Sequence, residues 1–95
     1  NVVRDSVDMS RRFDNKAESF SNYLNANGSK GGTIVQFIYI IGLLYGLEKT
    51  LEVMETWLAT RAEADTIAFS KIVERWDEYK DLPLSWAINL AQAEG

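Results

Sequence analysis

Between Gly31 and Leu47 the chain carries no charged residue, and from Ile34 onward Gln36 alone breaks an apolar run of 14 residues. A membrane-spanning helix needs about 20 such residues, whereas runs of 10 to 14 belong more often to buried core helices. The stretch therefore predicts a central helix, not a transmembrane span. Phe37, Leu44, Leu51 and Leu58 recur every seven residues, with Ile40, Leu47 and Met54 interleaved. That pattern extends the helix over residues 33–59, with Thr33 as its N-cap and the heptad positions as its inward seam. Ile34, Val35, Ile38, Tyr39, Ile41, Leu43 and Tyr45 surround the seam, so the first half is apolar on nearly every face. A helix greasy all round has to be covered. Gly42 and Gly46, one turn apart, would let a neighbouring backbone or ring come close, since glycine in a helix interior otherwise costs about 1 kcal/mol against Ala.

The rest of the chain also reads as helix. Residues 3–24 carry a stripe of Val3, Ser6, Ser10, Phe13, Ala17, Phe20 and Leu24, with Arg11, Arg12, Asp14, Lys16 and Glu18 largely off it. Residues 25–32, which hold three of the six glycines, read as a linker. Thr60-Arg61-Ala62-Glu63 has the form of a capping box and would open a helix over 61–80 with Phe69, Ile72, Val73, Trp76 and Tyr79 inward. Pro83 would start a short final helix over 83–93. No segment alternates with period two. The expectation is an all-α fold, a compact bundle of about four helices in a single domain covering 1–95.

Composition removes whole classes of function. With no Cys and no His among 95 residues, thiol nucleophiles, zinc fingers and Ser-His-Asp triads cannot be assembled. The Glu-x-x-His signature of carboxylate-bridged metal bundles cannot be written either. The segment Gly28-Ser29-Lys30-Gly31-Gly32 lacks the preceding strand and the ending of a phosphate loop. No enzyme, cofactor or metal site is expected. A net charge of −4 and a pI near 4.7 count against direct binding to nucleic acid. The opening Asn1-Val2-Val3 lacks an initiator Met and shows no signal-peptide pattern, so a processed or excised start is expected. With Cys absent, a cytoplasmic location is the corresponding expectation. No motif set ties the chain to a family residue by residue.

What remains is surface. Glu48, Glu52 and Glu55 share one face of the second helix and read as a solvated acidic flank beside its seam. Three partner helices, one with polar gaps and one only about 11 residues long, would leave part of the central helix uncovered. The chain is therefore read as a non-catalytic interaction module, binding a protein partner or another copy of itself. Tyr39, Tyr45, Trp57 and Trp86, flanked by Glu48, Glu52 and Glu55, are the expected contact residues. The alternative is an acidic mimic of nucleic acid that blocks a DNA- or RNA-binding protein, presenting Glu74, Asp77, Glu78 and Asp81 from one rigid helix. Against it, Lys71, Arg75 and Lys80 are interleaved among those acids.

Overall fold

The first helix, α1 (Val2–Ala26), follows its sequence stripe from Phe13 on: Phe13, Ala17, Phe20 and Leu24 are all buried at intervals of three and four, whereas Ser10 is exposed and the side chains of Val3 and Ser6 lie outside the described residues. The computed structural model describes residues 2–26 and 34–94, among which every regular element is a helix. Most of the expected linker and the proposed cap at Thr33 lie outside the described residues. A radius of gyration of 13.0 Å matches the roughly 13 Å of a compact chain of about 100 residues.

The four expected helices become six among the described residues, because two of the long ones are interrupted. Residues 33–59 do not form one helix: α2 (Ile34–Tyr45) stops at Gly46, and α3 (Leu47–Thr60) starts on its far side. Gly46 has φ 106 and ψ 139, a backbone conformation that side-chain-bearing residues rarely adopt. Its carbonyl is not orphaned by the break. The Thr50 amide (3.2 Å) and the Thr50 hydroxyl (2.9 Å) both donate to it, which explains a fully buried threonine at this point. The role expected for this glycine was close packing, but it turns the chain instead.

Gly42 does permit close packing. It lies against the ring of Phe13, and a Cβ added there would stand 2.8 Å from Phe13 Cζ. The close contact fixes which face of α2 turns inward. Ile34, Ile38, Ile41 and Gly42 are buried, whereas Ile40 and Leu44, both on the expected inward seam, are exposed. Phe37 is only half-buried. In α3 the buried set is Thr50, Leu51, Val53, Met54 and Trp57, again displaced from a strict heptad. The seam fails as one unit because the Gly46 turn breaks its register.

A second correction concerns the next boundary. Thr60 is the last residue of α3 and opens nothing, its hydroxyl donating back to the carbonyls of Thr56 and Trp57. Arg61 closes α3 in the left-handed conformation, φ 52 and ψ 45. The cap of α4 (Thr66–Glu74) is Asp65, whose carboxylate accepts from the Ala68 amide and from the Gln92 side chain. Burial pushes the Asp65 carboxyl up, but hydrogen bonds from Ala68, Gln92 and Ile67, with nearby Lys71, outweigh it and hold the group below its ordinary value. A depressed carboxylate stabilises the fold above its unfolded pKa, and that stability is lost as pH falls through the folded one. Asp65→Ala should cost about 1 kcal/mol at neutral pH and flatten the acid side of the stability profile, measured by urea unfolding between pH 6 and 3. An unchanged acid limb would mean that the cap carries no linkage.

The helix expected over 61–80 also breaks at Arg75, which separates α4 from the single turn α5 (Trp76–Tyr79). Phe69, Ile72, Val73, Trp76 and Tyr79 are all buried, as their stripe implies. After Pro83, α6 (Leu84–Glu94) lies mainly against α4, fixed by Lys71 Nζ donating to the Ala91 carbonyl and by the Gln92 to Asp65 bond. The core centre is aromatic. Trp57 and Phe69 meet edge to face at 5.8 Å, and Phe20 packs on both, at 6.1 Å from Trp57 and 4.8 Å from Phe69.

Candidate functional site

α2 packs against α1, α3 and α4 and leaves its remaining face to solvent. The two helices are antiparallel, Val35 lying near Ser21 and Asn22 while Gly42 lies against Phe13. Because successive side chains rotate by about 100°, burying Ile34, Ile38, Ile41 and Gly42 forces the remaining positions outward. Leu43 is 83% exposed, Leu44 66% and Ile40 53%. With spacings of three and four they form one ridge, and Tyr39 joins Leu43 at its α1 side. No acid or base lies between Ile34 and Leu47 to break this surface.

Beside the ridge runs a groove of about 440 Å³ between α1 and α2, lined by Asp14, Glu18, Ser21, Asn22, Val35 and Tyr39. Tyr39 belongs to both surfaces. Its ring packs on Phe13 at 5.4 Å, and its hydroxyl donates to Asp14 Oδ1 at 2.5 Å. That hydrogen bond, together with burial and the Asp14 charge, raises the Tyr39 pKa to about 12. The phenol therefore stays a donor, committed to Asp14 across the neutral range.

The other expected contact residues are scattered. Trp57 is a correction: it is completely buried, ringed by Phe20 and Phe69, with its indole N–H donating to the Glu63 carbonyl at 3.1 Å. Its position one place off the heptad seam suggested projection, but the Gly46 turn removes the seam on which that reading rested. Tyr45 is half-buried against the core. Trp86 is 65% exposed on α6, and Leu90, one turn further on, is exposed with it as a second apolar stripe. This stripe stands on a different helix from the ridge.

The three glutamates of α3 are exposed and sit elsewhere than the ridge. Glu52 Oε2 accepts the indole N–H of Trp76 at 2.8 Å, and Glu55 faces Arg12 at 3.7 Å. Both line a separate groove with Thr56, Trp76, Lys80 and Asp81. Glu48 is exposed in the first turn of α3, where a carboxylate complements the helix dipole. The acids of the alternative reading do not share a helix: Glu74 ends α4, Asp77 and Glu78 belong to α5, and Asp81 follows it. Asp77 also faces Lys49 at 3.9 Å.

Sequence reasoning missed Ile40, Leu43 and Leu44 as surface residues, and Asp14, Glu18 and Ser21 as groove lining. The available signal was Gly42: the face of an all-apolar helix that bears its glycine is the face a neighbour can approach most closely. No helix among the described residues is long and apolar enough to cross a membrane. No known protein family matches the chain, and no curated protein or solved structure matches it either.

Proposed function

We propose that the chain is a non-catalytic interaction module that docks a protein partner on the uncharged ridge of α2. The observation that carries this reading is the exposure of Ile40, Leu43 and Leu44 together on one helix face. Single exposed leucines are ordinary, but contiguous large apolar side chains at solvent-facing positions mark contact surfaces. Covering each of these side chains in an interface is worth on the order of 1.5–3 kcal/mol by apolar transfer, before the costs of association. The ridge is also free of the desolvation penalty that charges would bring.

Leu43→Glu tests the reading. Leu43 contributes little to the fold at its exposure, so the variant should keep its helicity, with an unfolding free energy within about 0.5 kcal/mol of the parent. Capture of partner from source extract should fall by at least tenfold, while Glu78→Lys, made in another element, leaves it intact. Equal capture by the Leu43→Glu variant would remove the ridge from the interface. The second stripe is tested in parallel by Trp86→Ala, which separates a role for α6 from one for α2.

A further inference from the structure

The ridge runs the length of its helix. Gln36, Ile40, Leu43 and Leu44 are exposed at intervals of three and four, and Ile40 sits at the middle of Ile34–Tyr45, a helix about 18 Å long. Charge decides what such a face fits. The chain has 14 acidic and 10 basic side chains, and none of them falls between Gly31 and Leu47. Two identical molecules meeting about a two-fold axis set a patch against itself, so any charge near the axis faces its like. A molecule of net charge −4 resists that contact wherever its acids cluster, and the ridge is free of them. The same lack of charge gives a foreign partner nothing by which to be steered or oriented.

The area also suits a pair. With whole large side chains at roughly 100–200 Å² each, the exposed fractions of Tyr39, Ile40, Leu43 and Leu44 amount to on the order of 400 Å² per molecule. Two such faces, with Gln36 and the half-buried Val35 and Phe37 at their margins, bury about 1,000 Å² in total, the lower bound for a specific interface. Obligate dimers bury about twice that or more, so this face supports reversible association at micromolar or higher concentration.

From the charge pattern and the area we infer that the ridge is covered by a second copy of the chain, α2 packing antiparallel on α2 about a two-fold axis at Ile40. The inference rests on the ridge being the docking surface and names its occupant. Pairing centred on Ile40 overlaps the two helices over nearly their full length. Ile40 then meets Ile40, while Leu44 and Leu43 of one copy lie opposite Gln36 and Phe37 of the other. The Gln36 amides fall at the two ends of the pair, in the polar rim where water still reaches them.

Cross-linking tests the register. The chain has no cysteine, so a single introduced thiol can form a disulfide only between copies. Ile40→Cys should give a linked dimer under mild oxidation. Gln36→Cys should not, because its two copies stand about 12 Å apart along the pair, but it should cross-link when mixed with Leu44→Cys. All three positions are exposed, and urea unfolding of each variant checks that the fold is kept. Sedimentation equilibrium of the parent chain should show monomer and dimer in exchange, with Leu43→Glu weakening the dimer at least tenfold. Added salt should strengthen it by screening the repulsion between two acidic molecules. A parent chain that stays monomeric up to about 500 μM overturns the inference, as does Gln36→Cys linking to itself as readily as Ile40→Cys. So does a dimer that salt weakens. The docking reading has a separate readout. A monomeric chain whose capture of partner from extract still depends on Leu43 loses the second copy as occupant and keeps the ridge, whereas capture and dimerisation both indifferent to Leu43→Glu remove the ridge itself.

Discussion

Replacing Trp57 with Ala is expected to remove about 3–5 kcal/mol of stability, the range for truncating a buried large aromatic ring. A chain of this length has on the order of 5–14 kcal/mol in total, so the variant would be marginal or unfolded at ambient temperature. Three costs combine. The ring is fully buried, its edge-to-face contacts with Phe20 and Phe69 vanish, and the Glu63 carbonyl loses its indole donor. Urea unfolding measures the change as a lowered midpoint at similar slope. Trp57→Phe, which keeps a ring but not the N–H, should cost distinctly less. A Trp57→Ala variant with an unaltered midpoint would contradict the placement of this side chain. Any loss of partner binding in this variant would follow from unfolding, so Trp57 cannot serve as an interface probe.

Gly42→Ala is expected to destabilise by about 1–2 kcal/mol, although the same change in an exposed helix stabilises. The helix-propensity gain is about 0.5–1 kcal/mol. Opposing it, the new methyl would meet Phe13 Cζ at 2.8 Å and Leu47 Cδ2 at 3.0 Å. Leu47 is half-buried and can swing aside, but Phe13 is 1% exposed and has no room. Overpacking a filled site costs about 1–3 kcal/mol, so the steric effect wins. A Phe13→Leu background removes the clashing ring atom, and there Gly42→Ala should cost much less. The double-mutant cycle would show a coupling of at least 0.5 kcal/mol. A stabilised single variant would mean that α1 does not press on α2 at Gly42.

How much was legible depended on how amphipathic each segment is. In α1 the charged residues occupy the non-core positions, so Phe13, Ala17, Phe20 and Leu24 announce their own orientation. The stripe from Phe69 to Tyr79 does the same, and it survives the break at Arg75 because residues on both sides still face one core. Trp57 was expected at a contact surface and is core, since a tryptophan beside a seam suits either. Asp65 was overlooked as a cap because Thr60 and Glu63 offered a better-formed pattern five residues earlier. Ridge and groove were the least legible. Asp14, Glu18 and Ser21 lie on α1 and Tyr39 on α2, and nothing local in either segment says that they meet.

Composition and periodicity alone determined that the chain is helical, that catalysis by thiol or imidazole is excluded, and that α1 and α4 know their inward sides. Which side of α2 faces water was decided only by the tertiary structure. An apolar helix with no charged stripe has nearly the same transfer free energy in every rotation about its axis, so hydrophobicity cannot choose among them. Close packing can. The absent side chain at Gly42 lets Phe13 approach, and the turn at Gly46 frees α2 from the register of α3. Together they turn Ile40, Leu43 and Leu44 toward solvent beside the carboxylates of α1.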